Sequence, residues 1–324
     1  MSSPAHMDAR LLRAFVTVAE ELHFTRAAAR LYVAQQALSR DVRRLERELG
    51  AELFVRTTRQ VTLTADGERL LPYARRVLAA QDDLLAAFGQ ARPLLVDLNS
   101  PGPSTARHVL HRARELTPDC ELMARYESGL TAAAAGLLAG RLDASFGRFA
   151  GLDPALRSGL AQQPVRYEPM AIALPEDHPL AALEKVPLSA LAGETVYAGA
   201  GNPGTREWTD LALRLFEGRG IRLAPPLPPA VGEEEFERVM RRTRNPVLAV
   251  VGFPAMPWTV LRPLTDPVPL SPVSLVWRRG LTHPGLEALR RAASANAGGA
   301  RGWLRRPAGA WLPAVDAEVM GASG

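Results

Sequence analysis

Between Met7 and Gly50 the apolar residues repeat at spacings of three and four, and the repeat is broken twice. Leu11, Leu12, Phe15, Val18 and Ala19 give a first helix one apolar face. The pattern breaks at His23, after which Thr25 is placed to cap a short helix, RAAARL, ending near Tyr32 and Val33. A third helix is expected from about Gln35 to Leu49, with Leu38, Val42, Leu45 and Leu49 inward and Gly50 as its stop. Two helices joined by a tight turn and preceded by a supporting helix make a helix-turn-helix candidate. The following LFVRTTRQVTLT alternates as two short strands around RTTRQ, a β-hairpin wing.

From Thr64 to about Gln90 a long helix carries Leu70, Ala74, Val77, Gln81, Leu84 and Phe88 at alternating spacings of four and three. That spacing is a coiled-coil seam; the competing reading is a helix packed on its own domain. Pro93 ends the helix and the texture changes. LLVDL, ELMARYE, LDASFGR, MAIALP, ETVYA, PVLAVVG and VSLVW are short apolar runs separated by helical or loop segments, as in an α/β domain with a largely parallel sheet. APPLPPAVGEEEF reads as a Pro-rich loop before a charged helix. The stretch from about Ser294 is Ala/Gly-rich but holds Trp303 and Trp311; a flexible tail is expected, with a docked amphipathic turn as the alternative.

At 324 residues the chain has room for about two domains. Its formal net charge is +5, and Lys185 is the only lysine, so the cationic side chains are nearly all Arg. Arg suits planar, bidentate recognition of phosphates, carboxylates and guanine edges, which favours an anionic partner; a solvated Arg-rich surface is the plainer alternative. Cys120 stands alone, which excludes an internal disulfide and a cysteine-only metal cluster. Pro, Gly or Arg interrupts every apolar stretch before the roughly 20 residues of a membrane helix, and MSSPAHMDAR lacks an apolar signal core. These features predict a soluble cytoplasmic protein without a membrane partner. Residues 1–6 read as an addition or an upstream start and are set apart from the fold.

A helix that enters the major groove needs short or planar polar groups on its first exposed turns, and Gln35, Gln36, Ser39, Arg40 and Arg43 supply them. Gln pairs bidentately with adenine and Arg with guanine. Thr25, Arg26 and the wing residues Arg56, Thr57, Thr58 and Arg59 are suited to phosphates. Against each residue stands a solvated helix face, as for Arg44 and Arg47, which have Glu48 and Asp41 as partners in reach.

This N-terminal segment resembles the winged helix-turn-helix of LysR-type transcriptional regulators. It matches the family's spaced pattern at Ala27, Ala28, Leu31, Gln35, Leu38, Ser39, Leu45, Glu46, Leu49, Gly50, Leu53, Phe54, Arg56, Arg59, Leu63, Thr64 and Gly67. GLLAGRLDASFGR and LPEDHPLA are similar to the family's effector domain, so the resemblance covers about residues 7–293. Ala34, Gln36 and Asp66 depart from it; losing a hydroxyl at position 34 removes an N-cap worth about 1 kcal/mol. The resemblance implies a DNA-binding domain over 7–64, a dimerising linker helix over 65–92 and a two-lobed α/β effector domain over 93–293, like periplasmic solute-binding proteins. Subdomain I takes about 93–162 and 268–293, subdomain II about 163–267, and 294–324 form the tail. It further implies binding to double-stranded operator DNA, a small-molecule effector, and a homodimer or homotetramer. Four loops would face the cleft, with Ser100, Ser104, Thr105, Ser128, Gly201, Asn202, Thr205 and Phe253 as pocket residues. Arg148 and Arg206 are able to bind a carboxylate there, in which case the effector is anionic; a surface ion pair is the alternative for either.

GAGNPG, residues 199–204, matches the dinucleotide fingerprint G-x-G-x-x-G between a strand and a helix. An NADP-binding oxidoreductase, with Arg222 on the phosphate, is therefore the enzyme alternative; a solute-binding module tethered to DNA is another. The fingerprint wants an acidic residue about twenty positions on, but the region reads EGRGIRLAPP, with Arg222 and no acid after Glu217. Pro203 also removes one of the amides that should converge on phosphate. His108 and His111 have metal-compatible spacing on a helix but no third ligand. No nucleophile elbow, H-E-x-x-H or P-loop occurs. The expectation is a regulator that is not an enzyme and uses no cofactor.

Overall fold

The computed structural model describes residues 7–31, 33–56, 61–87, 92–99, 104–127, 129–228, 232–254, 256–295 and 302–321. The chain divides into two compact units, Met1–Arg92 and Pro93–Gly324.

In the first unit Asp8 accepts the Arg10 amide at 2.8 Å and starts α1 (Ala9–Glu21). The next helix, α2 (Phe24–Arg30), is capped by His23, whose Nδ1 faces the Arg26 amide at 3.5 Å. Thr25, the expected cap, lies exposed in the first turn, because the extended backbone a cap requires falls at His23. Helix α3 (Gln35–Leu49) starts at Ala34 without a side-chain cap and ends at Gly50 in the left-handed conformation. Leu38, Val42 and Leu45 enter one core with Leu11, Leu12, Phe15 and Val18. Leu49, expected inward, is 38% exposed, since the helix's last turn extends past the core.

Strands β1 (Phe54–Arg56) and β2 (Val61–Leu63) pair antiparallel, with Phe54 opposite Leu63. Thr57, Thr58 and Arg59 lie outside the described residues. Thr64 then starts α4 (Ala65–Ala87): its Oγ1 accepts the Gly67 amide at 3.0 Å and donates to the Glu52 carbonyl at 2.6 Å. A side chain at Gly67 would put Cβ 2.3 Å from the Leu53 carbonyl oxygen, so only glycine permits this approach. The expected seam of α4 splits in two. Ala74 is buried and Leu70, Leu71 and Leu78 pack against the unit's own core, whereas Tyr73, Val77 and Leu84 stand exposed, Val77 at 51% and Leu84 at 58%. Phe88 is outside the described residues.

The second unit has two lobes. In lobe I, β3 (Leu94–Asp97) pairs in parallel with β4 (Leu122–Arg125) and β5 (Ala144–Gly147). Helices α5 (Thr105–Leu116), α6 (Leu130–Leu138) and α7 (Pro154–Ser158) follow β3, β4 and β5 in the chain. The 16-residue strand β6 (Leu160–Pro175) then runs out of lobe I into lobe II. Lobe II holds β7 (Val186–Pro187), the parallel pair β8 (Thr195–Val196) and β9 (Arg222–Leu223), helices α8 (Arg206–Phe216) and α9 (Glu233–Thr243), and strands β10 (Val247–Val250) and β11 (Thr259–Thr265). Strand β12 (Leu270–Arg278) returns to lobe I, followed by α10 (Pro284–Ser294).

The sheet expected to be largely parallel is mixed. Strand β12 lies antiparallel between β5 and the first half of β6, and β10 and β11 pair antiparallel with the second half of β6. Short buried apolar runs read alike in either direction, so sequence texture does not reveal this. Leu94, Val96, Val109, Phe146, Leu275 and Leu289 form the core of lobe I. Ile172, Leu174, Leu188, Leu211, Leu215 and Leu248 form that of lobe II.

The expected flexible tail is a docked strap over residues 302–321. Trp303 accepts the Tyr167 amide on its carbonyl at 2.9 Å, and its ring packs edge-on to His108 and beneath the Arg166 guanidinium, 4.9 Å from the ring centre. Trp311 exchanges backbone hydrogen bonds with the 268–270 segment and lies under Arg219 of lobe II. Helix α11 (Ala314–Gly321) closes the strap, burying Asp316 and Met320.

Candidate functional site

On α3, Gln35, Gln36, Arg40 and Arg43 are exposed and Ser39 is half-buried, along the stripe opposite Leu38, Val42 and Leu45. The core residues thus aim the polar stripe outward. Arg44 pairs with Glu48 at 2.8 Å. The Asp41 carboxylate accepts from Arg10 at 3.2 Å rather than from Arg47, whose Nε donates to the Arg43 carbonyl at 3.4 Å. Arg10, Arg40, Arg43, Arg44 and Arg47 border one groove of about 870 Å³ between α1 and α3. Sequence reasoning missed Arg10, because nothing local says that the start of α1 meets α3. Thr25 and Arg26 are exposed at the start of α2, where Arg26 donates to the Glu21 carbonyl at 2.6 Å. Behind them the buried Glu20 carboxylate accepts from Arg30 of α2 at 2.9 Å and Arg75 of α4 at 3.3 Å, tying both helices to α1. Arg56 belongs to β1.

In the second unit a cavity of about 310 Å³ lies between the lobes. Lobe I contributes the segment after β3, the start of α5 and the end of β5; lobe II contributes the start of α8, β10 and Phe253. Of the expected pocket residues, Ser104, Thr105, Arg148, Thr205 and Phe253 line it. Ser100 and Ser128 are outside the described residues. Gly201, Asn202 and Arg206 lie elsewhere. Gly201, at φ +92°, faces the chain at Leu227, where an added Cβ would sit 2.2 Å from the carbonyl oxygen. The Asn202 side chain accepts the Gly204 amide at 2.9 Å, and Arg206 is exposed on α8. Gly201 of GAGNPG therefore serves a close chain crossing. Arg222 is likewise engaged, donating to the Gly193 carbonyl and to Thr195 Oγ1.

The carboxylate-binding role expected of Arg148 needs correction. Its guanidinium is buried and its donors are engaged: Nε and Nη2 on Asp316 at 2.9 and 2.8 Å, Nη1 on Asp210 at 2.6 Å and the Glu207 carbonyl at 2.9 Å. Arg214 completes the set on Asp210 at 2.9 Å. Asp316 comes from the strap, so the tail's carboxylate occupies the position expected for a ligand's. His108 and His111 show no metal arrangement: His108 packs on Trp303 and His111 faces Glu115 at 3.4 Å. Among the described residues no cluster of His, Cys, Asp and Glu could hold a metal ion.

Two acidic residues in the cavity wall were not anticipated. Glu207, near the start of α8, crosses to lobe I and accepts the Leu130 amide at 2.9 Å, the Thr131 amide at 3.2 Å and the Thr131 hydroxyl, capping α6 from the other lobe. Gly129 makes this crossing possible, since a Cβ there would meet the Gly204 carbonyl oxygen at 2.6 Å. Glu168, midway along β6, accepts the Thr105 hydroxyl at the start of α5. Burial pushes both carboxyls above the usual glutamate range, against the pull of their hydrogen bonds. Asn99 also lines the cavity; its amide nitrogen donates to the Phe146 carbonyl, which fixes the side chain's orientation and leaves Oδ1 buried without a donor.

Comparison with known proteins agrees with both units. Residues 9–68 match the model for the bacterial regulatory helix-turn-helix protein, lysR family, and residues 98–227 match the LysR substrate binding domain. The chain is 36% identical over 235 residues to the uncharacterised HTH-type transcriptional regulator YnfL of Escherichia coli K12, covering 70% of this chain and 76% of that one. It is 36% identical over 221 residues to the HTH-type transcriptional regulator CatR of Pseudomonas putida, covering 67% and 74% respectively. The structure of a full-length OxyR variant from Pseudomonas aeruginosa superposes with a TM-score of 0.65 at 24% identity, covering 93% of this chain and 99% of that one.

Proposed function

Since the chain belongs to the LysR family of DNA-binding transcriptional regulators, we propose that α3 reads operator bases through Gln35, Gln36, Ser39, Arg40 and Arg43. Thr25, Arg26 and the wing residues Arg56, Thr57, Thr58 and Arg59 hold the flanking phosphates. The observation that carries this reading is the exposed polar stripe of α3, held outward by Leu38, Val42 and Leu45 in the core. Planar amide and guanidinium groups on such a stripe match the donor and acceptor pattern of major-groove edges. The protein works in the cytoplasm, where the chromosome is; no described helix is long and apolar enough to cross a membrane.

The cavity between the lobes is the effector site, and Ser104, Thr105, Thr205 and Phe253 face the ligand with Asn99, Glu168 and Trp208. Its walls come from both lobes, so a ligand that binds one lobe arrangement better than another shifts the equilibrium by that difference in affinity. Two copies join through α4, whose exposed stripe of Tyr73, Val77 and Leu84 has no use within its own unit, and dimers pair further into tetramers. Sequencing the DNA retained by the purified protein from sheared genomic fragments, followed by mobility shifts on those fragments at several salt concentrations, tests the reading. Enrichment of a single inverted-repeat motif is the expected result; uniform retention of all fragments would contradict it.

A further inference from the structure

Among the described residues the effector cavity is lined by one guanidinium and two carboxylates, and these are unequally available. Arg148 is neutralised by Asp316 and Asp210 and hydrogen-bonded through each of its nitrogens. With Arg214 on the same Asp210, the cluster holds two cations and two anions. No other cationic side chain among the described residues lines the cavity; Arg166 donates to Thr105 from its seat over Trp303 and is outside the lining.

The remaining wall is rich in acceptors and aromatic faces. Glu168 and Glu207 present carboxylates, the Asn99 Oδ1 lacks a donor, and Thr205 Oγ1 is buried without a partner. Phe146, Trp208 and Phe253 are the aromatic members of a lining otherwise dominated by aliphatic carbon. Acceptors and ring faces both attract a cation. A carboxylate entering the same space would meet two like charges and, among the described residues, no free guanidinium.

We propose that the effector is a small organic cation, an ammonium group on an apolar or aromatic body, with the ammonium donating to Glu168 and the body lying among Phe146, Trp208 and Phe253. This rests on the reading of the cavity as the effector site. Both carboxyls are buried and their charge is only partly compensated: Glu168 accepts one hydroxyl, from Thr105, and the Arg166 guanidinium on that same hydroxyl offsets part of its charge. The helix amides that cap Glu207 supply only part of that compensation.

The test uses the full-length protein and two sets of near-isosteric probes: benzylamine, benzyl alcohol and benzoate, and 2-phenylethylamine, 2-phenylethanol and phenylacetate. Calorimetric titration and thermal shift on wild type and Glu168→Gln read binding, and the melting temperature without ligand shows that the variant folds. The expected result is that at least one amine binds, that its carboxylate counterpart does not, and that Glu168→Gln weakens the amine about tenfold or more while leaving the alcohol unchanged. The proposal is overturned if a carboxylate binds more tightly than its amine, if Glu168→Gln binds the amine as wild type does, or if neither amine binds. Mobility shifts separate this from the underlying reading. An amine that binds through Glu168 but leaves the DNA complex unchanged supports the cation site and refutes the effector role. A carboxylate that alters the DNA complex, and loses binding in Thr105→Val, supports the effector site and refutes the cation.

Discussion

Asp316 holds Arg148 by two nitrogens, at 2.9 and 2.8 Å, across 168 positions of chain, with both side chains buried. Arg148 directly follows β5 of lobe I, its Nη1 reaches α8 of lobe II, and Asp316 belongs to the strap, so one guanidinium joins three parts of the unit. Removing one partner of a buried pair leaves an uncompensated charge, a cost of about 3–5 kcal/mol. Asp316→Ala should lower the stability of the effector unit by that order in urea unfolding. A double replacement, Arg148→Met with Asp316→Leu, should cost less than the two single changes added together. Stability of Asp316→Ala within about 0.5 kcal/mol of wild type would show that the strap does not hold this pair in solution.

Gly201→Val is expected to act through folding rather than through ligand access. The new Cβ would lie 2.2 Å from the Leu227 carbonyl oxygen, at a φ of +92° that side chains rarely adopt. The loop must move or the crossing with residues 225–228 must open. Thermal unfolding should begin several degrees lower, the size expected when an effect of about 1–3 kcal/mol is spread over a domain of this length. An unchanged melting temperature combined with lost effector response would return Gly201 to the pocket wall.

What could be read directly from the sequence is what is local. The faces of α1 and α3 follow from spacing, and Gly50 stops α3 because a left-handed residue is needed there. Even so, Leu49 is outside the core, since periodicity does not say where the neighbouring helix ends. The cleft was legible where a loop follows a strand, as at Ser104 and Thr105. It was not legible at Glu168 and Glu207, which lie within apolar and helical stretches and acquire their roles from partners in other elements. The strap was only partly legible for the same reason: Trp303 and Trp311 stood out in an Ala/Gly-rich stretch, but their partners, and those of Asp316 and Met320, are far off in sequence.

Glu168 should leave a mark on the pH dependence of stability. Burial raises its folded-state proton affinity above that of the unfolded chain, whose glutamates titrate near 4.5. Between that value and the raised one the folded state holds a proton that the unfolded state has released, so the unfolding free energy falls as pH rises through the window. The stabilisation is complete below the unfolded value and lost above the folded one. Glu168→Gln cannot release a proton there, and its unfolding curves from pH 4 to 8 should lack this part of the decline. Identical pH profiles for the two proteins would place Glu168 in contact with solvent.

The exposed stripe of α4 predicts its own test. Val77→Asp with Leu84→Asp puts charge on two side chains that are 51% and 58% exposed in the single chain. A monomer should tolerate both, whereas a subunit interface across them would bury unpaired charges and come apart. Light scattering should show a mass reduced to that of one chain, with the helical circular dichroism retained. An unchanged mass would remove α4 from the interface.

Arg40 and Arg56 separate specificity from affinity. Arg40 lies on the exposed stripe of α3, one turn beyond Gln36, within reach of base edges if the helix enters the major groove. Arg56 belongs to the wing strand β1, a position suited to the phosphate backbone. Arg40→Ala should therefore cost about 1–3 kcal/mol on the cognate operator and little on random DNA. Arg56→Ala should weaken both duplexes alike and lower the salt slope by roughly one unit, because a phosphate contact releases a counterion whatever the sequence. A dimer presents two such helices, so the operator should be an imperfect inverted repeat with half-sites spaced by about one helical turn or a multiple of it. Binding titrations of both variants on operator and scrambled duplexes, at several salt concentrations, decide the matter. Equal losses for Arg40→Ala on the two duplexes would mean that α3 holds phosphates, and the bases would then have to be read by other residues.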